Sequence, residues 1–225
     1  MKVKILRQKS PESMPYWQEF YYERNDEQTI GGLLDELNSI DNLRDVNGDL
    51  APRIDWECSC HQGMCGACAM VVNGRPVLAC ETFIRDIKKD IIVIEPLSKF
   101  STIHDLVVDR SSMEDNLKKA HAFIEENKES DSKYFAQLYS VGKCIQCGLC
   151  QEVCPNYKSG EKFFGASFAN NCFFIASRSK TREKEIRESY TKHFENGCSK
   201  SLSCSEVCPM NIITLTSIAR MNRGK

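Results

Sequence analysis

Several features are missing from this chain of 225 residues, and each absence narrows what it does. No stretch approaches the ~20 consecutive apolar residues that a membrane-spanning helix requires. The opening MKVKILRQKSPESMPYW lacks the apolar segment of a secretory signal, so the expected location is the cytoplasm. Charge of one sign is missing as well: 30 basic side chains face 31 acidic ones, for a formal net charge of −1. That balance gives no global field to attract nucleic acid, and no nucleic-acid partner is predicted. There is no G-x-G-x-x-G or Walker run, which argues against nucleotide binding within the chain. Histidines are few, 4 in all, and His104, His121 and His193 sit in charged helical or linker contexts. No group of side chains reads as an acid, base or nucleophile, so no catalytic residue is predicted.

Cysteine is what the chain has in excess. Of its 13 cysteines, all but Cys172 fall in three groups along the chain. Secreted disulfide scaffolds are usually short, whereas this chain is long and 27% charged, so metal or cluster binding is the better reading.

The length suits two modest domains. KVKIL and the aromatic-rich WQEFYYER predict a hairpin around Pro11 and Pro15. From Thr29, a candidate N-cap, Ile30, Leu33, Leu34 and Leu37 trace one apolar helix face. ACAMVVNGRPVLAC carries Asn73-Gly74, the pair best suited to a tight hairpin turn, and DIIVIEPL supplies another strand. Beyond about residue 105 the pattern turns helical, in MEDNLKKAHAFIEEN, KYFAQLYSV, FGASFANNCFFIASRS, KTREKEIRESYTKHF and IITLTSIARMN. The join is expected within LSKFSTIHDL, giving domains 1–102 and 103–225 in an α+β chain.

In the first group, Cys60, Cys65, Cys68 and Cys80 form C-x4-C-x2-C with a distant fourth cysteine, the plant-type [2Fe–2S] spacing. Gly63, Gly66 and Ala67 keep side-chain bulk away and offer backbone N–H groups to an anionic cluster. Structural zinc is the alternative; a Rieske centre needs two histidines, and only His61 is near. Cys58 is left over as an ordinary loop side chain.

The other two groups are read together. CIQCGLCQEVCP is C-x2-C-x2-C-x3-C-P, the bacterial ferredoxin run, whose fourth cysteine ligates a different cluster from the first three. Cys144, Cys150 and Cys154 recur 54 positions later as Cys198, Cys204 and Cys208, while Cys147 corresponds to Ser201. By reciprocity, Cys144, Cys147, Cys150 and Cys208 are predicted to hold [4Fe–4S]. Cys154, Cys198 and Cys204 hold the second cluster with one thiolate missing. Serine ionises far less readily than cysteine and is a poor soft-metal ligand, so [3Fe–4S] is predicted there. Cys172 is read as a buried free thiol on a helix.

With CHQGMCGACAMVVNGRPVLAC, IIVIEPLSKFSTIHDLVVD and the two runs, the chain resembles the iron–sulfur subunit of succinate dehydrogenase and fumarate reductase over nearly its whole length. The resemblance implies a β-grasp plant-type ferredoxin domain followed by an all-helical bacterial-ferredoxin-like domain. It implies electron transfer from or to an FAD-containing flavoprotein subunit at the first cluster. At the [3Fe–4S] end it implies a membrane anchor subunit with quinone, placing the chain on the cytoplasmic face of the membrane. Where many members have a tryptophan pair after the cysteine matching Cys154, this chain has only Tyr157; Ser199 and Asn222 stand where histidine and lysine are common. These departures point to menaquinone rather than ubiquinone. The alternative is an electron-input subunit for a soluble flavoprotein reductase acting on another unsaturated acid.

Overall fold

The computed structural model describes residues 1–128 and 134–223. Two compact units make up the chain, Met1–Asp109 and Arg110–Lys225.

The first unit begins with the expected hairpin, β1 (Lys2–Arg7) antiparallel to β2 (Tyr16–Tyr21). Thr29 caps α1 (Ile30–Asn38): its hydroxyl accepts from the Gly32 N–H, and Ile30, Leu33, Leu34 and Leu37 are all buried. The hairpin of β3 (Ala69–Val72) and β4 (Arg75–Leu78) turns on Asn73 and Gly74, at φ 49° and 77°. Strand β5 (Ile91–Glu95) then lies parallel to β1 and antiparallel to β3, completing a sheet ordered β2-β1-β5-β3-β4. A mixed sheet with β1 and β5 parallel at its centre and one helix on its face is the β-grasp arrangement.

A second hairpin, β6 (Ser101–His104) with β7 (Val107–Asp109), occupies the stretch expected to be the interdomain join. It belongs to the first unit because its turn residue Asp105 is pinned there. Asp105 Oδ2 lies 2.8 Å from the Arg7 guanidinium, both side chains almost fully buried. Asp105 also accepts from the Gln8 and Asp55 N–H groups, while Arg7 donates to the Pro52 and Arg53 carbonyls. One ion pair thus ties β1, the β6–β7 turn and the chain leading to the first cysteine group.

The second unit is helical. The helix expected over MEDNLKKAHAFIEEN is shorter: α2 (Ser111–Lys119) stops because His121 turns left-handed, at φ 49°. The Ala122 N–H then bonds the Leu117 carbonyl and the His121 N–H bonds that of Lys118, a Schellman close. Next come α3 (Phe135–Gly142), α4 (Leu149–Glu152), α5 (Gly165–Arg178), α6 (Glu183–His193), α7 (Ser203–Glu206) and α8 (Thr214–Met221). Of the stretch KYFAQLYSV, Lys133 lies outside the described residues. Helix α5 is buried on nearly all sides, with Phe168, Cys172 and Phe173 packed among Ile186, Tyr190, Phe194, Ile218 and Met221. Among the described residues no helix is long and apolar enough to cross a membrane.

Candidate metal centres

Cys68 and Cys80 sit at the open end of the β3–β4 hairpin, where the Ala79 N–H bonds the Cys68 carbonyl and the two sulfurs are 3.3 Å apart. The turn Ala79–Glu81 is held against the start of α1: the Ile30 N–H donates to the Thr82 carbonyl, and a Cβ on Gly31 would lie 3.5 Å from Cys80 Cα. Ahead of Cys68 the loop curls through left-handed His61, Gly63 and Gly66, at φ 53°, 70° and 75°. That curl aims three successive N–H groups at sulfur: Gln62 and Met64 donate to Cys60 Sγ at 3.5 and 3.2 Å, Gly63 to Cys80 Sγ at 3.3 Å. Backbone donation by Gln62 and Met64 holds the Cys60 thiol down at about 7. Burial, with Cys68 alongside, pushes Cys80 up to about 12. A concave row of N–H groups facing thiolates suits an anionic group, which a [2Fe–2S] centre with its thiolates is. Cys58 is exposed, and burial together with the Asp35 charge raises its thiol.

In the second unit the repeat of cysteine spacing is also a repeat of backbone shape. Gln146 and Gly148 are left-handed at φ 52° and 86°; 54 positions on, Lys200 and Leu202 are left-handed at φ 59° and 63°. Helix α4 starts one residue after Gly148, and α7 starts one residue after Leu202. A leucine held left-handed costs roughly 1–2 kcal/mol that glycine avoids. Its retention at 202 marks a conformation required by the loop. Ser201 therefore stands in the local geometry that Cys147 has in the first run.

Cys144, Cys147, Cys150, Cys204 and Cys208 line one recess with about 400 Å³ of non-atom space, mouth included. Burial raises the thiols of Cys144 and, to about 11, of Cys147, and raises Cys150 well above its ordinary value. These sulfurs repel one another as thiolates, so a cationic group must displace their protons on binding. Burial raises the Cys204 thiol, with Cys154 and Cys198 near enough to add repulsion. Among the described residues, no three His, Cys, Asp or Glu side chains converge as a single metal ion would require. Cys172 is fully buried in the α5 core, and burial raises its thiol far above the usual range.

Other residues at the site were missed in the sequence. Gln151, directly after Cys150, is fully buried; its Oε1 accepts from the Ala166 N–H at the start of α5, and its Nε2 donates to Ser167 Oγ at 2.8 Å. Its counterpart 54 positions on, Ser205, accepts from the Thr214 N–H at the start of α8 at 3.0 Å. Each run thus caps the helix that follows it, a signal readable in the repeat offset but not in either residue alone. Two of the departing positions are taken up by the fold. Tyr157 is 1% exposed with its hydroxyl 3.4 Å from Ser112 Oγ, and Asn222 accepts from the Tyr190 hydroxyl at 3.1 Å.

Residues 2–115 match the family model described as 2Fe-2S iron-sulfur cluster binding domain, and residues 140–212 the one described as 4Fe-4S dicluster domain. The succinate dehydrogenase iron-sulfur subunit of Bacillus subtilis is 33% identical, over 97% of this chain and 90% of that protein. The fumarate reductase iron-sulfur subunit of Wolinella succinogenes is 29% identical, over 94% of this chain and 90% of that protein. A chain of the Mycobacterium smegmatis Sdh1 complex in the apo form shares the fold, with TM-score 0.72, 22% identity, and coverage of 98% and 94%. With both cluster-binding models matched in the order of the two units, and relatives aligned almost end to end, the chain belongs to the family of succinate dehydrogenase and fumarate reductase iron–sulfur subunits.

Proposed function

We propose that the chain is the electron relay of a succinate dehydrogenase or fumarate reductase complex, itself carrying no substrate chemistry. Cys60, Cys65, Cys68 and Cys80 hold [2Fe–2S]; Cys144, Cys147, Cys150 and Cys208 hold [4Fe–4S]; Cys154, Cys198 and Cys204 hold [3Fe–4S]. Bound clusters supply reversible one-electron chemistry. The chain's own residues hold, orient and desolvate them. An FAD-containing flavoprotein subunit meets the first unit, and a membrane anchor with menaquinone meets the second, on the cytoplasmic face of the membrane.

The observation carrying this reading is the duplicated run, alike in backbone at Gln146/Lys200 and Gly148/Leu202 and different in its donor at Cys147/Ser201. Two facing runs sharing cysteines serve two clusters in series, and a chain with clusters in series is a conductor with a partner at each end. The test is anaerobic purification from the native host in mild detergent, with identification of the co-purifying subunits and assay of succinate oxidation and fumarate reduction with a menaquinone analogue. A flavoprotein, an anchor and quinone-coupled turnover support the reading.

One observation favours a second reading. Tyr157 is buried and Asn222 is engaged by Tyr190, so neither side chain is held out toward a quinone. A complex of this chain with a flavoprotein alone, in the soluble fraction and inert toward both acids and quinone, identifies a reductase of another unsaturated acid.

A further inference from the structure

Cys154 and Cys198 are assigned above to one cluster, yet α5 and α6 lie between them in the chain. The segment that follows Cys154 and the segment that precedes Cys198 are joined at several points. Asn156 Nδ2 donates to the carbonyl of Gly197, the residue just before Cys198. His193 Nδ1 lies 3.2 Å from the Lys162 carbonyl, and a carbonyl only accepts, so this nitrogen carries the proton and donates. The Phe164 N–H returns a bond to the His193 carbonyl at 3.0 Å, and the two rings stack with centroids 4.0 Å apart and planes 4° from parallel. Phe163 lies beside Phe194, and a Cβ on Gly197 would lie 2.9 Å from Phe163 Cγ, so the ring is seated where only glycine leaves room. The inner end of this clasp is anchored: Phe164 and Phe194 are buried in the helical core, and Phe163 and Cys198 pack against it. Its outer end is the Asn156 amide, at the surface. The four-cysteine position has no such amide at the matching place, because Met210 stands 54 positions after Asn156 and its side chain has no hydrogen to donate.

We infer that Asn156 and His193 are positioning residues for the second cluster: with Phe163 seated on Gly197, they clasp the loop of Cys154 to the loop of Cys198 and set how firmly the group bound by Cys154, Cys198 and Cys204 is retained. The inference rests on the cluster assignment proposed above. Each side chain acts on a backbone carbonyl and not on sulfur, so no bond to iron and no proton transfer is involved. A group on three thiolates loses a larger share of its attachment when one loop drifts than a group on four. Loops already held at the binding spacing spare the ordering cost that two free loops would impose.

The test uses the intact, anaerobically purified complex of the wild type, Asn156→Leu, His193→Phe and Asn156→Gln. Leucine keeps the branched shape without a donor, phenylalanine keeps a ring against Phe164 without the Nδ1 proton, and glutamine keeps the amide. The decay of the paramagnetic three-iron signal in excess EDTA is followed beside that of the [4Fe–4S] signal in dithionite-reduced samples. The expected result is a three-iron decay about fivefold faster in Asn156→Leu and in His193→Phe, the factor for one lost hydrogen bond. The [4Fe–4S] decay should stay as in wild type, and Asn156→Gln should lie nearer wild type than Asn156→Leu. Unchanged three-iron decay in both donor-free variants overturns the inference. Equal acceleration of both clusters overturns it too, because a merely structural change loosens the helical unit as a whole. If Asn156→Leu does not accumulate, His193→Phe decides by the same criterion. A wild type with no three-iron signal fails at the cluster assignment and removes the inference with it, an outcome distinct from a signal whose retention ignores both residues.

Discussion

Replacing Asp105 by Asn tests how the first cysteine loop is held. The Asp105 and Arg7 side chains are 6% and 2% exposed, with 2.8 Å between Oδ2 and Nη2. Asparagine has the same shape, tolerates the φ of 42° at this position, and keeps one oxygen for the Gln8 or Asp55 N–H. What it removes is the charge facing a buried guanidinium. Stranding one partner of a buried pair costs about 3–5 kcal/mol, and the retained acceptor puts this variant near the lower figure. An unfolding entropy of about 2.1 cal/mol/K per residue, over the residues Met1–Asp109, turns about 3 kcal/mol into a fall of roughly 13 °C in Tm. The assay is a melt of the purified complex followed by the visible circular dichroism of the [2Fe–2S] centre. Cluster loss should precede unfolding of the helical unit, because Arg7 also holds the Pro52 and Arg53 carbonyls ahead of Cys60. A fall below about 4 °C, or roughly 1 kcal/mol, refutes the claim that the pair organises the loop. Arg7→Met with Asp105→Leu should cost less than the sum of the single changes, since both charges leave together.

Ser201→Cys places a thiol where Cys147 has one, so the three-iron signal should vanish from the oxidised protein and iron content rise by one per chain; an unchanged spectrum removes the [3Fe–4S] assignment. Gly63→Ala forces a Cβ to within 2.8 Å of Glu81 Cγ at φ 70° and turns the N–H away from Cys80, so [2Fe–2S] absorbance per chain should fall while the other clusters are retained. Cys172→Ala should cost about 1 kcal/mol and leave iron content unaltered, and in the folded wild type Cys172 should resist alkylation at pH 8, because burial holds its thiol protonated.

The two cluster-binding domains were legible because cysteine spacing is a geometric statement about loops. The Asn73-Gly74 turn, the Thr29 cap and the buried face Ile30, Leu33, Leu34, Leu37 followed from local chemistry and recur in the structure. The β6–β7 hairpin did not, since its short strands carry a bulge between Thr102 and His104 and owe their place to Asp105 meeting Arg7, ninety-eight positions away. The early end of α2 was hidden for a different reason: His121 has no sequence signal for a left-handed cap, and the charged run beyond it keeps a helical pattern. Gln151, Ser205 and Thr214 carried no motif either. Their roles exist only when each run is folded against the helix after it.

The two runs share a backbone and differ in one donor, Cys147 in the first and Ser201 in the second. On the ligand assignment proposed above, Ser201 leaves the second position with one anionic ligand fewer. Fewer negative ligands favour the reduced form. On that assignment, the residue at 201 should set the second position above the first in potential, so that an electron in the helical unit rests on the side of Cys154, Cys198 and Cys204. The order of midpoints in one titration of the complex checks this, and a second position lower than the first contradicts it.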